Sequence, residues 1–109
     1  MSLASSDIST LRKQLLAGEI TAVDIVDDLA GAIAARDGEI GAYLSADIES
    51  ARSMAAQADL SQPLGGIPIA LKDNINVRGQ PCTCGSHFLA KGYTAPYDAH
   101  VTGLLRAAG

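Results

Sequence analysis

The run Leu64-Gly65-Gly66-Ile67-Pro68-Ile69-Ala70-Leu71 ends in Lys72, and the turn-forming pair Asp73-Asn74 follows at once. An unbroken apolar stretch such as Ile67–Leu71 reads as a strand buried on both faces, of the kind found in α/β proteins. A lysine at the end of such a strand is costly to bury as a cation unless something nearby needs it. The ends of strands are also where open α/β sheets keep their chemistry. Lys72 is therefore the candidate catalytic residue. The plainer alternative is a strand-end lysine whose stem packs while its amine reaches water.

Helical spacing accounts for most of what precedes this run. Asp7 is placed to cap a helix carrying Ile8, Leu11, Leu15 and Leu16, which Gly18 closes. Thr21, with Asp24 three residues on, forms a capping box for a second helix whose apolar face is Ile25, Val26, Leu29 and Ile33, and Gly38 is expected to end it. Ala42–Ser45 reads as a short strand. Asp47 caps a third helix with Ile48, Ala51, Met54, Ala55 and Ala58 inward. Beyond the lysine, residues 76–85 are irregular and rich in Gly, Pro, Cys and Thr, and such loops are often functional. A helical turn is expected over Ser86–Lys91, then a last helix capped by Asp98 with Val101, Leu104, Leu105 and Ala108 on one face.

A doubly buried strand needs neighbours on both edges, and two strands make no independently stable sheet. With only Ala42–Ser45 to pair with Ile67–Leu71, the chain is expected to be the front portion of something larger. A hydrophobic content of 48% excludes a disordered chain, and 109 residues leave room for one domain. The formal charge of −4, with eight scattered Lys and Arg, argues against a direct nucleic-acid binder. No stretch approaches a membrane span, the start lacks the blocks of a secretory signal, and two cysteines make no disulfide framework. A cytoplasmic protein is the expectation.

The run from Leu64 to Gly109 resembles the amidase signature family. The matching pieces are Gly66-Ile67-Pro68-Ile69-Ala70-Leu71-Lys72-Asp73-Asn74, then Gly79, Thr83-Cys84-Gly85-Ser86, Tyr93-Thr94-Ala95-Pro96-Tyr97-Asp98-Ala99 and Leu104-Leu105-Arg106-Ala107-Ala108-Gly109. Leu15-Leu16-Ala17-Gly18-Glu19-Ile20-Thr21-Ala22-Val23-Asp24 is similar to the family's opening helix, turn and helix. Within the family the likeness is to the A subunits of aspartyl/glutamyl-tRNA(Asn/Gln) amidotransferases. The resemblance implies an α/β fold, with a mixed β-sheet core covered by helices. On that reading residues 1–109 are an N-terminal fragment of a single amidase domain: a helical front over 1–62, the lysine strand and active-site loop over 63–97, and a helix over 98–109.

The same resemblance implies a Ser-Ser-Lys mechanism with Lys72 as the lysine. One serine attacks the amide carbonyl, and a bridging serine relays its proton to the amine. A lysine shielded from water is more easily neutral and can act as that base. The substrate implied is glutamine, and the ammonia released would serve a partner that transamidates misacylated tRNA. The partners implied are the B and C subunits of a heterotrimer. The tRNA, ATP and Mg would be held by the partner subunit, with no cofactor in this chain and no membrane contact. Neither triad serine lies in these 109 residues, so the isolated chain is expected to be inactive. Cys82 stands where the family usually shows Thr, Gly41 where Asn is common, and Gly103 replaces a longer polar residue.

Two rivals stand beside this reading. One is a stand-alone amidase acting on another carboxamide, and the other a catalytically dead short protein that binds a partner through its helical front. Other features have plainer explanations. Cys82 and Cys84 offer two ligands where structural zinc needs four, so they read as buried small hydrophobes. His87 and His100 read as surface residues. Gly65-Gly66 precede the run, unlike a phosphate loop, and serve to turn the chain into it. Ser86 reads equally as a loop hydrogen-bonder or a cap.

Overall fold

The computed structural model describes residues 2–109, in two compact units: residues 2–68 with Gly109, and residues 69–108. Among the described residues four helices form, α1 (Ile8–Ala17), α2 (Ala22–Ile40), α3 (Ile48–Ala56) and α4 (His100–Ala107), with 3-10 turns at Leu3–Ser5 and Leu89–Lys91.

The first unit is set out by its caps. The Asp7 carboxylate accepts from the Thr10 amide at 2.7 Å, and Gly18 ends α1 in the left-handed region at φ 70°. Thr21 and Asp24 close the expected capping box, the Thr21 amide donating to Asp24 at 2.8 Å and the Asp24 amide to the Thr21 hydroxyl at 3.1 Å. Asp47 accepts from Ser50 at the start of α3. The end of α2 differs from expectation. The helix passes Gly38 and stops at Gly41, φ 65°, because the Asp37 carboxylate gathers the Ala42 and Tyr43 amides just beyond that point.

Leu11, Leu15, Ala22 and Ile25 form the core of this unit, with Leu3, Ile20, Leu29, Ala55, Ala58, Leu60 and Ile67 packed against it. Leu15 and Ile25 are only 2% and 1% exposed, and sealing side chains of that size contributes about 1.5–3 kcal/mol each. Leu16 and Met54, expected inward, face solvent; both fall off the narrow stripes their helices bury. α3 pairs with α2 through Arg52, which bonds Asp27 and Glu49. The joint after α3 is held by Arg12 on α1, whose guanidinium donates to the carbonyls of Leu60 at 2.8 Å and Gly65 at 2.6 Å. Gly65 leaves no room for a side chain, since a Cβ there would lie 2.0 Å from the Asp59 carbonyl oxygen.

No strand forms among the described residues, which corrects the expectation of a first core strand at Ile67–Leu71 and of a short one at Ala42–Ser45. The run 67–70 has no regular secondary structure, and Ile69 (45% exposed), Ala70 and Leu71 face solvent. A strand exists only as a member of a ladder, and no second segment supplies the main-chain groups to pair with this one. The sole β-type pairing among the described residues is an isolated antiparallel bridge between Pro81 and Thr94.

That bridge belongs to the second unit. Gly79 donates to Ala95 at 2.9 Å and Ala95 to Gln80 at 2.9 Å, joining the two arms of the loop. Val77, Cys82, Ala95 and Thr102 are its buried residues. Asp98 does not cap α4 as expected. Its carboxylate accepts from the Arg78 amide at 2.8 Å and pairs with Arg106 at 3.1 Å, so Ala99 takes the N-cap position and the helix has no side-chain cap. The α4 N-terminus is anchored instead by the Asn76 carbonyl, which accepts from the Ala99 amide at 2.9 Å and the Thr102 hydroxyl at 2.8 Å. Thr102 is therefore the buried member of α4, while Val101 and Leu104, expected inward, are exposed.

Across both units the aspartates share one habit. Asp7, Asp24, Asp28, Asp37, Asp47, Asp59, Asp73 and Asp98 each accept from a main-chain amide. Among the described residues no helix is long and apolar enough to cross a membrane.

Gly65→Ala is expected to destabilise the first unit by about 2 kcal/mol or more, because the carbonyl it meets is backbone and cannot step aside. Gly38→Ala, whose Cβ would meet nothing within 4 Å, is expected to be neutral or mildly stabilising. Urea unfolding of both variants measures the contrast.

Candidate active site

Lys72 sits in the second unit at the head of a turn closed by the Ile75 amide, which donates to the Lys72 carbonyl at 3.0 Å. The side chain is exposed, so the buried end of a strand foreseen for it is not what forms. Nothing in 69–71 seals its stem, and none of the ion pairs among the described residues engages it.

The next residue organises the surroundings. The Asp73 carboxylate accepts from the Thr83 amide at 3.0 Å and from the Thr83 hydroxyl, while the Asp73 carbonyl accepts from the Cys84 amide at 2.9 Å and the Cys82 thiol at 3.5 Å. One residue thus ties the lysine turn to the far side of a ten-residue loop. The Thr83 hydroxyl, with help from its amide, holds the Asp73 pKa below the ordinary carboxylate value. Lys72 adds a smaller attraction of the same sign.

The loop then turns back on itself. Cys84 and Gly85 are consecutive left-handed residues, φ 51° and 71°, and the Ser86 amide closes the turn on the Thr83 carbonyl at 2.8 Å. Cysteine is uncommon in that conformation, which marks the segment as held in place by its hydrogen bonds. Ser86 acts as a cap, its hydroxyl accepting from the Phe88 and Leu89 amides at 3.2 and 3.4 Å. The helical turn expected over Ser86–Lys91 shrinks to the 3-10 turn at Leu89–Lys91, and leaves Phe88 86% exposed.

The other candidates separate. His87 and His100 are on the surface, as their isolation in the sequence suggested. Cys82 is buried, and desolvation raises its thiol pKa, whereas Cys84 is exposed and is no buried hydrophobe. Among the described residues no group of three or more His, Cys, Asp or Glu could hold a metal ion. Sequence reasoning missed the Asp73–Thr83 tie and the Asn76 carbonyl. Contacts ten and more residues apart carry no periodic signal.

Residues 24–109 match the model of the family described as Amidase, and the chain belongs to that family. Two curated relatives, each named as the A subunit of a glutamyl-tRNA(Gln) amidotransferase, are similar over all 109 residues, at 43% identity in Methylacidiphilum infernorum (isolate V4) and 47% in Akkermansia muciniphila. The expected likeness to A subunits is thus found, although the chain spans only 22% and 23% of those proteins' lengths. A solved chain superposes with a TM-score of 0.87 at 27% identity, over 95% of this chain and 24% of its own length. It comes from "an unexpected vestigial protein complex" said to reveal the origins of "an s-triazine catabolic enzyme", in an inhibitor-bound form.

Because the Asp73 pKa lies lower in the folded chain than in the unfolded one, its stabilising contribution is complete above roughly pH 4 and fades as pH falls through the folded value. The Thr83 amide, which donates to that carboxylate, is expected to lose hydrogen-exchange protection over that acid window. In Asp73→Asn, which does not titrate, this loss is expected to be smaller than in the parent. Equal acid sensitivity in both would remove Asp73 as its source.

Proposed function

We propose that this chain supplies the lysine of a Ser-Ser-Lys amidase centre, in the glutaminase subunit of a tRNA-dependent amidotransferase. The observation that carries the reading is the 43–47% identity over all 109 residues to proteins named as A subunits of glutamyl-tRNA(Gln) amidotransferase. In this reading residues 1–109 are the front of an amidase domain, and further polypeptide flanks the run 67–71 and closes over Lys72. The exposure of Lys72 and its apolar neighbours within this chain is what such a role requires of an uncovered surface.

The chemistry follows from the amine. A serine hydroxyl attacks the carboxamide carbon of glutamine and passes its proton through the bridging serine to the Lys72 amine. The resulting oxyanion takes hydrogen bonds from loop amides. Collapse expels ammonia, which leaves with the proton returned from the amine, and water then releases glutamate from the acyl-enzyme. Asp73 acts as a positioning residue, fixing the turn that aims the lysine. The B and C subunits receive the ammonia and hold ATP, Mg and the misacylated tRNA, all in the cytoplasm.

In the intact protein, Lys72→Ala is expected to lower glutamine hydrolysis by about 10²–10⁴-fold, the usual worth of a positioned acid–base group. Stability is expected to change by no more than about 0.5 kcal/mol, since the side chain is exposed. Lys72→Arg is expected to be equally inactive, because a guanidinium keeps its proton. Glutaminase assays with ammonia detection decide it, and near-normal turnover in either variant would remove Lys72 from the mechanism.

A second reading, an amidase acting on a different carboxamide, draws on the 27% identity to the chain from the s-triazine-related complex. The higher identity of the A subunits favours the first. Isolation of the intact protein separates the two: the first predicts co-purification with B and C subunits and dependence on them.

A further inference from the structure

Cys82 and Cys84 play no part in the chemistry above, yet the fold brings both to one acceptor. The Cys82 thiol donates to the Asp73 carbonyl oxygen at 3.5 Å, and the Cys84 amide donates to that same oxygen at 2.9 Å. Their surroundings differ sharply. Cys82 is 3% exposed, whereas Cys84 lies open to solvent on a left-handed backbone, φ 51°. An accessible thiol with a second cysteine close by is a layout in which one sulfur is oxidised and the other resolves it.

We propose that Cys82 and Cys84 form a redox modification site, closing to an intraloop disulfide when a small hydroperoxide reaches Cys84. The Cys84 sulfur attacks the peroxide, so that an S–O bond forms, the O–O bond breaks, and water or an alcohol leaves. The Cys82 sulfur then attacks the sulfenic sulfur. The S–S bond forms, the S–O bond breaks, and water departs with the Cys82 proton. Two thiols are oxidised and one hydroperoxide is reduced. A single residue separates the cysteines, so the closed ring is strained and readily reopened by a dithiol. Closure takes the Cys82 sulfur off the Asp73 carbonyl and so loosens the turn that begins at Lys72. Disulfide formation itself does not depend on the amidase reading.

The intact protein, treated with hydrogen peroxide, alkylated without reduction and digested, provides the test by mass spectrometry. The peptide spanning both cysteines is expected to lose two hydrogen atoms, resist alkylation, and regain both thiols with dithiothreitol. Cys82→Ser, whose hydroxyl can still donate to the Asp73 carbonyl, is expected to form no disulfide and to accumulate a Cys84 sulfenic acid that dimedone traps. Absence of the linked peptide in the parent protein, at a peroxide dose that fully oxidises Cys84 in Cys82→Ser, would overturn the proposal. Predominant disulfides between separate chains would do so as well. Glutaminase activity plays no part in this readout, so its outcome is distinct from that of the lysine test.

Discussion

Asp73 is the residue on which the organisation of the candidate site depends. Its carboxylate and its carbonyl point to the same stretch of chain, the first to Thr83 and the second to Cys82 and Cys84. Without these bonds the turn at Lys72 and the left-handed pair Cys84-Gly85 would be separate pieces of irregular backbone. The loop has little apolar burial to hold it: Val77, Cys82 and Ala95 are small, and the large residues nearby, Phe88 and Tyr97, face outward. Directional polar contacts thus take the place that a packed core holds elsewhere. Such contacts are worth most when every participant is satisfied.

The first unit is built on the opposite principle. Leu11, Leu15, Ala22 and Ile25 exclude water, and the caps merely decide where each helix begins and ends. Arg12 extends this order past α3 by gripping two carbonyls at the joint, and Gly65 lets the backbone pass where no side chain fits. The lysine-bearing run therefore leaves from a fixed point, although the run itself is unpaired.

Legibility in the sequence followed the range of the interactions involved. Helix starts at Asp7, Thr21 and Asp47 were readable because a cap and its amide lie three residues apart. The α2 end was misread because Gly38 and Gly41 are equally plausible stops, and the choice rests on where the Asp37 carboxylate reaches. Asp98 was misassigned for a related reason: Arg78, twenty residues upstream, competes for it. The strand at 67–71 failed because apolar composition describes a segment, whereas a strand is a relation between segments. For the site, the motif singled out Lys72, and nothing local in the sequence pointed to Thr83 as the partner of its neighbour.

The habit of the aspartates has a bearing on the acidic balance of the chain. A net charge of −4 suggests a protein wrapped in loose negative charge. Yet nearly every aspartate is occupied at contact range by a peptide N–H, and Asp27 by Arg52. Mobile ions screen charges separated by more than about 8–10 Å far better than they disturb bonds of this length. The acidity is stitching more than plumage, and moderate changes in ionic strength should leave the seams intact.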